Sequence, residues 1–128
     1  ENVVVWGTGK PRREFLHVDD AAMSCYFLMQ KYDSPEIINI GSGMDYSIKE
    51  MAEMIKRITN YNGNIIFDET KPDGTPRKLL NIDKIKQIGW DANIDLETGL
   101  ISTYADFISH YDYYVQHLDR RNPKYINV

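Results

Sequence analysis

The sequence predicts an α/β domain built from a short, mostly parallel sheet and packed helices. Three observations carry that prediction. β-branched and aromatic residues recur in short runs at residues 3–6, 37–40 and 64–67. An amphipathic helix with its own start signal lies between the second and third runs. A longer helical pattern then closes the sequence's periodic part.

Taken in order, Val3, Val4, Val5 and Trp6 form an extended stretch, and Gly7-Thr8-Gly9-Lys10-Pro11 punctuates it. Phe15, Leu16, His17 and Val18 lead into a helix over residues 21–29, for which Asp19 or Asp20 is the expected cap. That helix is apolar nearly all round, so cover is expected on more than one side. Ser34-Pro35 breaks it, and residues 37–40 read as a buried strand ending at Gly41-Ser42-Gly43. Ser47-Ile48-Lys49-Glu50 is a capping box, and Ile48, Met51, Ala52, Ile55 and Ile58 then fall on one helical stripe. Asn62-Gly63 closes that unit before the strand at 64–67, so residues 37–67 are expected to pack as a parallel βαβ unit. Residues 68–78 read as a loop punctuated by Pro72, Gly74 and Pro76. Asn81 is placed to cap a short helix ended by Gly89, and Asp95 to cap the last long one, which runs to Tyr111. The pattern fades after Tyr114, and the stretch from His117 to Val128 reads as a tail.

The chain has 128 residues with 15 Lys plus Arg against 19 Asp plus Glu, a net charge of −4. One domain is the expectation. No apolar run reaches the ~20 residues that span a bilayer, and no leader pattern opens the sequence, so a membrane role is not expected. The mild acidity argues against a nucleic-acid surface. Cys25 stands alone, which excludes an internal disulfide and fits a reducing, cytoplasmic setting; in its apolar helix it reads as an inert packed thiol. No His/Cys cluster has metal-ligand spacing, so no metal is expected. An extended stretch that begins at once after Glu1 suggests a piece of a longer protein.

Two basic segments stand out in this acidic chain: Lys10, Arg12 and Arg13 after the first strand, and Lys71, Arg77 and Lys78 in the later loop. From charge alone a solvated surface is the default reading. The alternative is convergence on a phosphate, for which Arg offers a planar fork and Lys a mobile charge. Trp6 beside the glycine turn is placed to stack on a base or sugar, or else to fill the core. Gly41-Ser42-Gly43 stands where a dinucleotide loop would, but lacks the third glycine, and a tight structural turn accounts for it better. His17 reads as a satisfied near-core group, and neither His110 nor His117 has an evident partner. No Tyr-x-x-x-Lys pair occurs. Chemistry is therefore not resident in these residues.

Several segments carry a resemblance: Val4-Val5-Trp6-Gly7-Thr8-Gly9, then Arg13-Glu14-Phe15-Leu16-His17-Val18-Asp19-Asp20, then Ile38-Asn39-Ile40-Gly41-Ser42-Gly43, and finally Lys71-Pro72-Asp73-Gly74-Thr75-Pro76-Arg77-Lys78. In these the chain resembles the C-terminal portion of nucleotide-sugar enzymes of the extended short-chain dehydrogenase/reductase family, and within it the epimerase/reductases. The resemblance implies an NADPH-dependent parent enzyme that epimerises GDP-4-keto-6-deoxy-D-mannose at two carbons and reduces its ketone. It implies that cofactor and catalytic residues lie upstream, on a Rossmann core absent here, so the piece alone is expected to be inactive. Residues 1–111 are then the GDP-sugar-binding portion and residues 112–128 the tail. By the same resemblance Trp6, Arg13, Asp73 and Lys78 contact the substrate. Family members are homodimers through the other half, so self-association of this piece would use a different contact. The same portion of another nucleotide-sugar epimerase, dehydratase or reductase, or a non-catalytic interaction module, stays open.

Overall fold

The structure, a computed structural model, describes residues 1–118. The tail beyond Leu118, Tyr125 included, lies outside the described residues, as does the side chain of His117. Strand β1 (Asn2–Trp6) and strand β4 (Asn64–Asp68) form a two-stranded parallel sheet, in register from Asn2↔Asn64 to Trp6↔Asp68. Alternation along a strand needs a ladder partner to become a sheet, and here the sequence-based pairing is corrected. The partner of residues 64–68 is β1; residues 37–40 have no strand partner among the described residues. Ile38 and Ile40 pack on the core while Ile37 is 90% exposed. Asn39 instead donates its side-chain N–H to the Asn81 carbonyl at 3.1 Å.

A second sheet takes the order β3-β2-β5, from β2 (Arg12–Glu14), β3 (Asp45–Ser47) and β5 (Arg77–Lys78). Strand β2 runs antiparallel to β3 and parallel to β5. The single, mostly parallel sheet expected from sequence is thus two small sheets, one of them mixed. The predicted loop also ends earlier, because Arg77 and Lys78 belong to a strand.

Helix α1 (Val18–Lys31) starts one turn before the predicted span. His17, and not Asp19 or Asp20, is its N-cap, with Nδ1 accepting from the Asp19 amide at 3.3 Å. Asp20 is only 4% exposed and accepts from the backbone N–H groups of Asn93 (3.0 Å) and Ile94 (2.8 Å), tying α1 to the segment before the last long helix. Helix α2 (Ile48–Ile58) has the predicted capping box in full. Its C-terminus is closed by Asn60 at φ 51°, with the Tyr61 amide bonded to the Lys56 carbonyl and that of Asn60 to Arg57, a Schellman closure. Helix α3 (Asp83–Gln87) follows an Asn81 side chain that accepts from the Asp83 amide at 2.9 Å. Helix α4 (Leu96–Ser109) is capped by Asp95 as predicted, and α5 (Tyr111–Leu118) follows after a break at His110.

The core is small. Ile82, Ile85 and Trp90 are buried, surrounded by Leu16, Phe27, Leu28, Ile38, Ile40 and Ile88. Helix α1 covers that cluster with Phe27 and Leu28 and leaves Val18, Met23, Tyr26 and Met29 exposed. Cys25 is exposed too, so the packed-thiol reading is corrected: it lies off the stripe that meets the core.

Candidate nucleotide-binding site

Two segments far apart in sequence, residues 6–13 and 68–78, run side by side. The Gly7 amide donates to the Asp68 carbonyl at 2.9 Å and the Arg12 amide to the Pro76 carbonyl at 2.8 Å. Parallel register then sets Arg12 opposite Arg77 and Arg13 opposite Lys78. Like charges directly opposite each other are unfavourable in a sheet, so each pair gains from a counter-charge or a ligand. Successive side chains leave opposite faces of a strand, which separates the two pairs.

The first pair is bridged by Asp45, whose side chain is 6% exposed. Arg12 Nε donates to one carboxylate oxygen at 2.9 Å and Arg77 Nε to the other, while a second Arg12 nitrogen donates to the Asp45 carbonyl at 2.7 Å. Glu50 adds a longer contact to Arg12 at 3.4 Å. The hydrogen bonds from Arg77 and Arg12 hold the Asp45 carboxyl below its ordinary range, and Asp45 raises Arg12 in return. Arg12 and Arg77, two cations of the basic segments, are thereby committed to the fold.

Arg13 and Lys78 have no carboxylate partner among the described residues. The Arg13 guanidinium donates only to the carbonyls of Arg12 and Thr75, both at 2.7 Å, which orients the fork without cancelling its charge. With Glu14, Leu79 and Leu80, the two cations line one open hollow of about 500 Å³. The remaining predicted residues stand at the other end of the same segments. Trp6 is 73% exposed, with Lys71 Nζ 5.6 Å from its ring centroid. Asp73 accepts from the Thr8 amide at 2.8 Å and from the Thr8 hydroxyl at 2.6 Å, and these bonds keep its carboxyl below the ordinary range. Gly7, at φ +86°, makes room for that clasp, since a Cβ there would collide with the Asp73 carboxylate. Each Asp73 oxygen retains a lone pair for a further donor.

The same chain matches the model of the NAD dependent epimerase/dehydratase family over residues 1–41. It is 48% identical over 110 residues to GDP-L-fucose synthase 1 of Arabidopsis thaliana, covering 86% of this chain and 34% of that protein. Against GDP-L-fucose synthase of Escherichia coli (strain K12) it is 45% identical over 120 residues, covering 87% and 37%. Among solved structures it superposes on a GDP-L-fucose synthetase from Naegleria fowleri bound to NADP with TM-score 0.82 and 31% identity, over 87% of this chain and 36% of that one. The chain is thus similar to that family's model over its first third and to GDP-L-fucose synthases over most of its length. It spans about a third of the length of the curated relatives it matches.

Cofactor phosphates do not fit the Gly41-Ser42-Gly43 turn of this chain. The Glu14 carboxylate already fills it, accepting from the Gly43 amide at 2.7 Å and, through its other oxygen, from the Leu80 amide at 3.0 Å. A Cβ on Gly41 would collide with that carboxylate, so the glycine serves the turn itself. The N-terminus of α2 is equally committed: its first amides go to the carbonyls of Pro11 and Gly9 and to the Ser47 hydroxyl. His17 is a satisfied near-core group, its Nε2 3.1 Å from the Ser102 hydroxyl, and His110 lies against Asp106 and Ser109. No metal-holding group of His, Cys, Asp or Glu occurs among the described residues. Sequence reasoning missed Thr8, Glu14 and Asp45. Their signal is tertiary, because each acts on a residue at least 28 positions away.

Proposed function

We propose that this chain is the GDP-sugar-binding C-terminal portion of an NADPH-dependent enzyme that epimerises GDP-4-keto-6-deoxy-D-mannose at two carbons and reduces the ketone, making GDP-L-fucose. The observation that carries the proposal is the pair Arg13 and Lys78 in one hollow, neither ion-paired among the described residues, beside a register neighbour pair that Asp45 bridges. A diphosphate supplies the missing negative charge: Arg13 offers an oriented fork and Lys78 a mobile ammonium. Trp6 supplies an exposed ring for stacking, and the free lone pairs of Asp73 accept from the nucleoside's N–H or hydroxyl groups. The fucose-synthase names of the relatives support guanosine as the nucleoside.

In this reading NADPH supplies the hydride of the reduction and is held by residues of the parent other than the glycine turn, which Glu14 occupies. Residues of this chain bind and orient the nucleotide, and no proton or hydride transfer is assigned to them. The exposed apolar face of α1 is covered in the parent, which forms the expected homodimer through its other part. The isolated chain accordingly shows no NADPH oxidation with the keto sugar; turnover would refute that assignment. Nuclear magnetic resonance titration, which reads millimolar binding, tests the nucleotide: GDP shifts amides in segments 6–13 and 73–80 at lower concentration than UDP or dTDP. A preference for UDP contradicts the proposal.

A further inference from the structure

Strand β5 has two residues, too few for its ladder bonds alone to fix its place. Yet the proposed anion site depends on where it lies, because Lys78 is one of the two. Side chains of β2 tie its flanks, Arg13 to the Thr75 carbonyl and Glu14 to the Leu80 amide. Within the strand the anchor is Asp45, itself set by the scaffold: it pairs with Glu14 across β2 and β3 and stands two residues before the Ser47 cap of α2. One carboxylate therefore grips the first residue of β2 and the first residue of β5. Without its charge, Arg12 and Arg77 face each other across the ladder with Glu50, at 3.4 Å from Arg12 alone, as the nearest acid.

We propose that Asp45 is a positioning residue for the nucleotide: by clamping Arg12 and Arg77 it holds β5 on β2 and sets Lys78 beside Arg13. This rests on the reading of Arg13 and Lys78 as the diphosphate site. Asp45 touches no ligand; its effect passes through the strand.

The test is a GDP titration of the full chain by nuclear magnetic resonance, with Asp45→Asn, Arg77→Gln, Lys78→Gln and the Asp45→Asn/Lys78→Gln double variant. Asp45→Asn is expected to weaken GDP about tenfold, the scale of a lost charged hydrogen bond. In the Lys78→Gln background the same change costs less than about twofold, since the residue it places is gone. Nuclear Overhauser contacts between Arg12–Arg13 and Arg77–Lys78 vanish in Asp45→Asn while those between β1 and β4 persist, a pattern that general destabilisation does not give. Unchanged GDP affinity in Asp45→Asn, or an undiminished tenfold loss in the Lys78→Gln background, overturns the proposal. Should Asp45→Asn unfold the chain, Arg77→Gln, an exposed side chain, carries the same test, and unchanged GDP affinity there is equally fatal. If Lys78→Gln itself leaves GDP binding intact, the diphosphate site falls and this inference with it. Loss in Lys78→Gln with none in Asp45→Asn brings down this inference alone.

Discussion

Replacing Glu14 with Gln separates a structural glycine turn from a phosphate cradle. The carboxylate offers one oxygen to the Gly43 amide and the other to the Leu80 amide. A Gln presents one oxygen and one NH₂ group, so one of the two backbone donors meets another donor. Losing a hydrogen bond to a charged acceptor costs about 1.5–3 kcal/mol, and partial exposure places this case toward the lower end. For a domain of this size each kcal/mol moves the midpoint by about 4 °C, so a fall in Tm of roughly 6–8 °C is expected by circular dichroism melting. Gly41→Ala should act in the same direction, because its methyl group displaces the same carboxylate. A Tm unchanged within about a degree would refute the reasoning.

Three further outcomes follow from the same contacts. Asp45, Glu50, Asp73 and Asp95 are all held below their ordinary range, by Arg77 and Arg12, by Ser47, by Thr8 and by Thr98 respectively. Depressed folded values mean stability that is present above the unfolded value near 4 and lost as pH falls through the folded ones, so Tm should drop steadily below about pH 4. A flat melting profile across that range would contradict these pairings. Ile85→Ala, at a side chain with 0% exposure in a three-residue buried cluster, should cost about 2–5 kcal/mol, whereas Ile55→Ala on the 43% exposed stripe should cost well under half of that. Equal losses in chemical denaturation would show that the core is misplaced. Thr8→Val removes a donor to Asp73 and should weaken GDP by a few fold without altering the β2·β5 ladder, since Asp73 then keeps only the amide bond.

What was legible in the sequence is what is local. Ser47 with Glu50 and Asp95 before Leu96 announce helix starts because the cap and its target are three residues apart. The strands at 2–6 and 64–68 carry the β-branched residues their type predicts. Residues 37–40 have the same apolar character, yet Ile38 and Ile40 are spent on the core cluster and the ladder partner of β4 is β1. Strands β3 and β5 were not legible, since runs of three and two residues are too short to show a pattern and are held by long-range contacts. The basic segments were visible as composition, but not which cations the fold uses: Arg12 and Arg13 are neighbours in sequence and opposite in role, because alternation sends one to Asp45 and the other to the hollow. His17 as a helix cap and Asn60 as a helix stop escaped for a related reason, as both are less common choices whose surroundings decide.

The most direct test of the account titrates GDP and, as a control without phosphates, guanosine into the wild-type chain and into Arg13→Gln and Lys78→Gln. Each substitution should weaken GDP about tenfold while leaving the weak guanosine shifts near Trp6 unchanged, because only the diphosphate meets the two cations. GDP affinity that survives both substitutions, or shifts that map to α4 and α5 instead of to segments 6–13 and 73–80, would contradict it.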